Sequence, residues 1–404
     1  MNCSDGPPLF DLDDPLTSSI LNITVEFKNF YKPIHRYLAV ILCIVGLLFN
    51  SVHIWVLRQP RLRSTSVHTV LIGIACSDIS TMVSYLIYNT RFEIFEHRYG
   101  YSYIWTGILV LHVTLSIACH AITLYLVVLM AFIRWRVMIN PGSGWMRTQR
   151  ACIGCILLAV WVAMLSIPTF LNHQILPSYY YLDENDKKHY LYQIGFSNMM
   201  LDNGCVLMKA NLWITGIFMK AIPCFLLFWL TVGLIHQMRV NRMKRKLILH
   251  VKEDEKQRKR GDQTTYMLLL MVSVFLFTEL PQGVIAILSA MYTQEFHRHV
   301  YAPLADVLDL LSLVNCYVAF LVYVCTCSRY RQTLLTILPN VDRIMSNLTT
   351  RQNTLVNPQK RDSLAPNGTK VIPQSVRRCS RSEVVNTEVT ALVNGRESCT
   401  DTYL

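Results

Sequence analysis

The chain has 404 residues, of which 52% are hydrophobic and 16% charged, with a formal net charge of +12. Soluble domains carry about a quarter charged residues, so an ordinary soluble globular protein is excluded and a membrane protein is expected. The chain does not open on a basic leader followed by an apolar core and a small-residue cleavage site, so the first apolar span is expected to act as an uncleaved anchor.

Stretches of about 20 mostly apolar residues fall at 35–57, 66–88, 104–133, 148–171, 212–238, 264–291 and 303–325. They predict an all-α membrane protein: a seven-transmembrane helix bundle within 35–337, an extracellular segment 1–34 before it and a cytoplasmic tail 338–404 after it. The segments 58–65, 134–150, 239–262 and 328–404 carry net charges of +3, +4, +6 and +5, whereas the opposite loops sum to −3. Basic residues mark the cytosolic side, so the N-terminus is expected outside and the C-terminus in the cytosol of a multi-pass plasma-membrane protein. The basic balance then reports topology and not affinity for nucleic acid.

In chain order, the outer segment offers glycosylation sequons at Asn2 and Asn22. Cys3 and Cys205 are the cysteines on the oxidising face and are disulfide candidates. Polar residues inside spans are costly in hydrocarbon and are expected to face the bundle interior. They are Asn50 in span one, Asp78 in span two, His120 and Thr123 in span three, Lys220 in span five, Glu279 and Gln282 in span six, and Asn315 in span seven. The loop 172–211 holds YYYLDENDKKHYLYQ, long and Tyr-rich enough to form a lid or hairpin. Segment 239–262 reads as basic helical extensions of spans five and six, suited to a transducer or anionic lipid. Asp306 and Asp309, three residues apart on span seven, share one helix face near its outer end. Beyond Tyr323, Cys325 and Cys327 sit where palmitoylation occurs, and SRYRQTLLTIL predicts a short amphipathic helix along the membrane. The tail, poor in aromatics and rich in Ser, Thr, Asn and Arg, is expected to be disordered, and its final Thr402-Tyr403-Leu404 fits a PDZ ligand.

The intramembrane set resembles the rhodopsin-like (class A) G-protein-coupled receptors over roughly 35–337. Asn50, Asp78, Trp161 and Pro223 match the family's polar and proline landmarks of spans one, two, four and five. Arg134 in AFIRW matches the Arg of D-R-Y, Phe275 and Pro281 match F-x-x-x-W-x-P, and Tyr323 matches the Tyr of N-P-x-x-Y. The resemblance implies signal transduction to a heterotrimeric G protein through Arg134, Tyr323, Phe275, Pro223 and the kink at Pro281, with arrestin recruited by the tail. It also implies a buried polar network or sodium ion held by Asn50, Asp78, Thr123 and Asn315. Departures are Ile133 for the Asp of D-R-Y, Ala319 in the N-P-x-x-Y segment, Glu279 for the span-six Trp, and the missing Cys at the outer end of span three, which leaves Cys3 as the candidate partner of Cys205.

FTELPQG resembles a narrower group, the invertebrate myosuppressin and FMRFamide-like peptide receptors with a nematode branch. That implies an amidated Arg-Phe peptide as ligand, whose cation would meet Glu279, Asp306 or Asp309. Its ring would meet Trp105, Trp213 or Tyr292, unless these are interfacial belt aromatics. Glu279 has two readings: an internal pair with Lys220 or His120, or direct contact with the ligand's Arg. A receptor for another peptide or a small cationic transmitter is the alternative, although span three lacks the acid an amine would need. A transporter would show repeated halves with broken helices. His112, His120 and scattered Asp and Ser lack a nucleophile or metal spacing, so no enzyme is expected.

Overall fold

A computed structural model describes residues 9–337 apart from positions 12, 61, 63–64, 97–98, 141, 183–187, 249–254 and 293–294. The described residues lie in one compact unit, Met1–Ile344, and the second unit, Met345–Leu404, falls outside them. The tail, with its arrestin and PDZ expectations, therefore lies outside the described residues, as does Asn2.

The chain runs as helices α1 (Pro15–Leu57), α2 (Ser66–Tyr88), α3 (Tyr103–Ile139), α4 (Thr148–Leu165) and α5 (Ile167–Leu171). A hairpin of β1 (His173–Leu182) and β2 (Lys188–Phe196) follows, then α6 (Asn198–Trp213), α7 (Ile222–Ile248), α8 (Glu255–Met291), α9 (Ala302–Thr326) and α10 (Ser328–Ile337). Seven helical segments are long and apolar enough to cross a membrane: Pro15–Leu57, Ser66–Ile94, Tyr103–Ile139, Thr148–Leu171, Gly204–Asn241, Leu269–Met291 and Arg298–Thr326. The seven expected spans are all present, and the protein is a multi-pass membrane protein.

The first helix begins well before the apolar run at 35. Its start is built locally: Asp14 caps it by accepting from the Thr17 backbone N at 3.0 Å and the Thr17 hydroxyl at 2.8 Å, and Pro15 occupies the first helical position. The same bonds hold the Asp14 carboxyl below the usual carboxylate range. Pro33 lies inside this helix without ending it. Asn22 therefore sits exposed on α1 and not in a loop.

Helix α3 is the most buried span, at 61% of its apolar window against 17% for α4. It packs on α2, α4, α7 and α8, while α1 packs on α2 and α9, and α8 on α9. A central α3 explains why its side chains can reach several helices at once. The apolar core fills the end of the bundle nearest α10, where Leu71, Ile74, Met130, Ile133, Phe275 and Tyr330 are fully enclosed. Ile133, standing where the family has an acid, is thus a packing residue.

The hairpin closes the opposite end. Tyr101 and Tyr192 exchange backbone hydrogen bonds of 2.9 and 2.7 Å, and the Thr106 hydroxyl of α3 donates to the Tyr192 carbonyl at 3.3 Å. Gly100 makes the approach possible at φ +120, since a Cβ there would come within 2.8 Å of the Tyr192 carbonyl oxygen. Backbone pairing ties the hairpin to α3 at the end of the helix where the expected cysteine is missing.

Candidate functional site

Glu279, on α8 two residues before Pro281, is completely buried at 0% exposure. Phe277 and Leu280 on the same helix face outward, so the turn aims its acid into the bundle and its apolar neighbours away from it. His120 Nε2 of α3 lies 2.9 Å from Glu279 Oε2. Asn315 Nδ2 of α9 donates to Oε1, and Asn315 Oδ1 in turn accepts from the Thr278 hydroxyl at 2.7 Å. Both carboxylate oxygens are satisfied, which is what a buried charge requires.

Lys220 takes a different partner, donating from Nζ to Gln282 Oε1 at 2.8 Å. The same oxygen accepts from the Ser312 hydroxyl at 3.3 Å, and Gln282 Nε2 donates to the Thr278 carbonyl at 3.3 Å. Lys220 sits in a π-helical segment, Ile214–Ala221, followed by buried Pro223. In the π register the Phe218 carbonyl would need the N–H of Pro223, which has none, and it accepts instead from the Tyr125 hydroxyl of α3 at 2.5 Å. Two tiers of polar contacts therefore run across α8, one to α3 and α9 and one to the π segment and α9.

Toward the hairpin end, Asp309 accepts from the Tyr85 hydroxyl at 2.9 Å. Asp306, one turn away, has an enclosed Oδ2 with no hydrogen-bond partner. Trp105 faces the Arg91 guanidinium, which lies 5.2 Å from its ring and 4.9 Å from that of Tyr101. Trp213 is 40% exposed on the outside of its helix, so it does not line the interior, and Tyr292 is half-buried past the end of α8.

The expected Asn50, Asp78, Thr123 and Asn315 set is buried but divides in two. Thr123 donates to Asp78 Oδ1 at 2.9 Å, and Asn50 Nδ2 donates to the Gly46 and Cys316 carbonyls at 3.1 Å each. Asn315 belongs to Glu279 instead. Asp78 Oδ2 and Asn50 Oδ1 are buried without hydrogen-bond partners. Oxygen donors of this kind fit a hard monovalent cation, with Asp78 and Thr123 as the residues that would hold it and Asn315 no part of the set. No group of three or more His, Cys, Asp or Glu that could hold a metal ion occurs among the described residues.

At the far end, Tyr323 is 2% exposed and its ring lies 5.7 Å from both His53 and Tyr330 and 6.2 Å from His68. The Tyr330 hydroxyl of α10 meets His53 Nδ1 of α1 at 2.8 Å, fixing the short helix to the bundle. Arg134 Nε and the Tyr323 hydroxyl are enclosed, and the Arg134 guanidinium interacts electrostatically with that hydroxyl. Cys325 is exposed and Cys327 half-buried at the α9–α10 junction, and both are free. Cys205, at φ 63, is disulfide-bonded, and its expected partner Cys3 lies outside the described residues.

Sequence reasoning missed Tyr85 as the partner of Asp309, the 2.7 Å contact of Ser84 with His112, and the stacking of His112 on Tyr88 at 4.4 Å. The run S-Y-L-I-Y at 84–88 held the signal: its hydroxyl groups lie at helical spacing near the end of span two.

Residues 37–340 match the family described as serpentine type 7TM GPCR chemoreceptor Srw. The chain is 31% identical over 359 residues to the G-protein coupled receptor dmsr-1 of Caenorhabditis elegans, covering 78% of this chain and 70% of that protein. It is 24% identical over 290 residues to the sex peptide receptor of Drosophila melanogaster, covering 68% of this chain and 64% of that one. Squid rhodopsin shares the fold with a TM-score of 0.56 at 16% identity, over 80% of this chain and 87% of its own. With seven spanning helices in that arrangement and a family match across all but the start of the first and the tail, the chain belongs to the Srw family of seven-transmembrane G-protein-coupled receptors.

Proposed function

We propose that this protein is a cell-surface receptor for an amidated peptide carrying an Arg and an aromatic ring, and that peptide binding opens its cytosolic end to a heterotrimeric G protein. The observation that carries the reading is Glu279. An acid held by α3 and α9 sits two residues from the proline of α8, so a change in the contacts of Glu279 is felt where the helix can bend. Pro281 removes one backbone hydrogen bond and gives α8 a place to flex. An agonist acts by preferring the bent-open state over the resting one, shifting an existing equilibrium.

The internal pairing of Glu279 favours Asp306 and Asp309 as the groups that meet the ligand's cation. Asp306 keeps spare acceptor capacity, and Asp309 shares only one oxygen with Tyr85. The N-terminus and hairpin then face outward and Arg134 faces the cytosol, in line with the segment charges and with oxidation of Cys205. The sex peptide receptor among the relatives is named for a peptide ligand, which supports the peptide class.

The test is G-protein activation in cells exposed to a panel of amidated Arg-Phe peptides, with wild type, Asp306→Asn and Asp309→Asn at equal surface expression. Responses weakened at least tenfold by either substitution support the acidic anchor. No wild-type response to any amidated peptide removes this ligand class and leaves only the receptor family.

A further inference from the structure

Helix α1 is 43 residues long, which at 1.5 Å per residue is about 65 Å, whereas the hydrocarbon core needs about 20 residues. The residues nearest Leu57 suffice to cross it, so the helix before about residue 37 stands beyond the hydrocarbon zone. The family match begins only at residue 37, so this extension precedes the part of the chain shared with the family.

The extension carries an unpartnered stripe. Leu16, Ile20, Ile23, Phe27, Phe30 and Ile34 are 43–70% exposed and follow one another at alternating steps of four and three. The same steps continue into the membrane through Tyr37, Ile41, Ile44 and Leu48, again all exposed. Below residue 37 lipid accounts for exposed apolar side chains, but above it lipid tails do not reach. In the extension Val25 is the other exposed large apolar residue among those described, and it lies off the stripe. An apolar period of 3.5 sustained over several heptads is the pattern of a coiled-coil seam.

We propose that this stripe is a dimerisation seam whose occupant is the same stripe on a second copy of the chain. Two copies in one membrane are necessarily parallel and at the same height, so identical heptads meet in register without further adjustment. No charged residue occupies the seam from Leu16 to Leu48. In a parallel pair the flanking Glu26 of one copy faces Tyr31 of the other and not a second acid. The six outer side chains expose on the order of 600 Å², at the upper end of what monomer surfaces leave in one patch, and pairing two such strips reaches the lower range of a specific interface. The opposite side of α1 meets its own bundle only in places: Leu21 and His35 are buried, and Lys32 and Arg36 lie 3.5 and 3.6 Å from Glu93, whereas Val25 is exposed. The extension is therefore fixed to its own bundle near residues 32–36 and stands bare between residues 22 and 30, where the apolar side chains are concentrated on the stripe.

The test is a single-cysteine scan from position 20 to 30 in the full chain, expressed in cell membranes and mildly oxidised. Covalent dimer above the wild-type background is expected at Ile20→Cys, Ile23→Cys, Phe27→Cys and Phe30→Cys, with minima at Asn22→Cys, Val25→Cys and Asn29→Cys. Ile23→Glu is expected to lower energy transfer between differently tagged receptors at least twofold at unchanged surface amount. Cross-linking with no 3.5-residue period, or none above wild type, overturns the proposal, as does energy transfer that Ile23→Glu leaves intact.

Discussion

Asp78 and Glu279 are two acids in the interior of one bundle, and they are held in opposite ways. Glu279 has both oxygens engaged, one by His120 and one by Asn315, whereas Asp78 has Thr123 on one oxygen, no close hydrogen bond on the other, and the Cys316 thiol beside its carboxyl. A saturated buried acid is a structural tie that resists change, and an acid with a spare oxygen retains capacity for another partner. The contrast sets Glu279, which bonds α8 to α3 and α9, apart from Asp78, which bonds only Thr123 of α3 and keeps an oxygen free of close hydrogen bonds.

The sharpest way to break the contrast is to remove the tie. Glu279→Ala leaves buried Asn315 and part-buried His120 without their acceptor, at about 1–3 kcal/mol for each buried donor left unsatisfied. A drop in thermal stability of purified receptor larger than for any other substitution named in this Discussion is the expected result. Asp78→Asn retains an acceptor for Thr123 and is expected to cost less. Its signature is selective: sodium chloride should raise the melting temperature of wild type more than potassium chloride does, and Asp78→Asn should erase that difference.

Away from both acids, Tyr330→Phe removes the hydroxyl that meets His53 and leaves the imidazole unsatisfied, at about 1–3 kcal/mol. Faster amide exchange confined to α10, with the rest of the bundle unchanged, would match this. The smallest effect belongs to Asp14→Ala, which frays the start of α1. Because the Asp14 carboxyl is held below its ordinary range, its cap is complete above the unfolded carboxylate range and fades as pH falls through the lowered value. The protection factor at Thr17, taken against the intrinsic exchange rate at each pH, should fall in acid in wild type, whereas Asp14→Ala should show the lower protection throughout.

How far these features were legible in the sequence depends on whether one helix or several decide them. Asp78 was readable as an inward-facing acid because hydrocarbon leaves an ionisable residue few other places to point. The partner of Glu279 was not, because Lys220 and His120 lie at similar depth and only the rotations of α3 and the π segment choose between them. The length of α1 was hidden by Lys28, Lys32, Pro33 and Arg36, which end the apolar run although Asp14 and Pro15 mark the true start. Trp213 stays open between pocket surface and interfacial belt in the sequence because a tryptophan at a span end reads the same whether it faces inward or outward.

The account rests most heavily on Glu279 being an internal tie and not the ligand's contact. The direct test is nucleotide exchange on the G protein without peptide, comparing wild type with Glu279→Gln at equal receptor density. Weakening the tie to His120 beside the Pro281 hinge should raise basal exchange severalfold while leaving peptide affinity within about threefold of wild type. Unchanged basal exchange with peptide affinity lost would place Glu279 against the ligand and contradict the account.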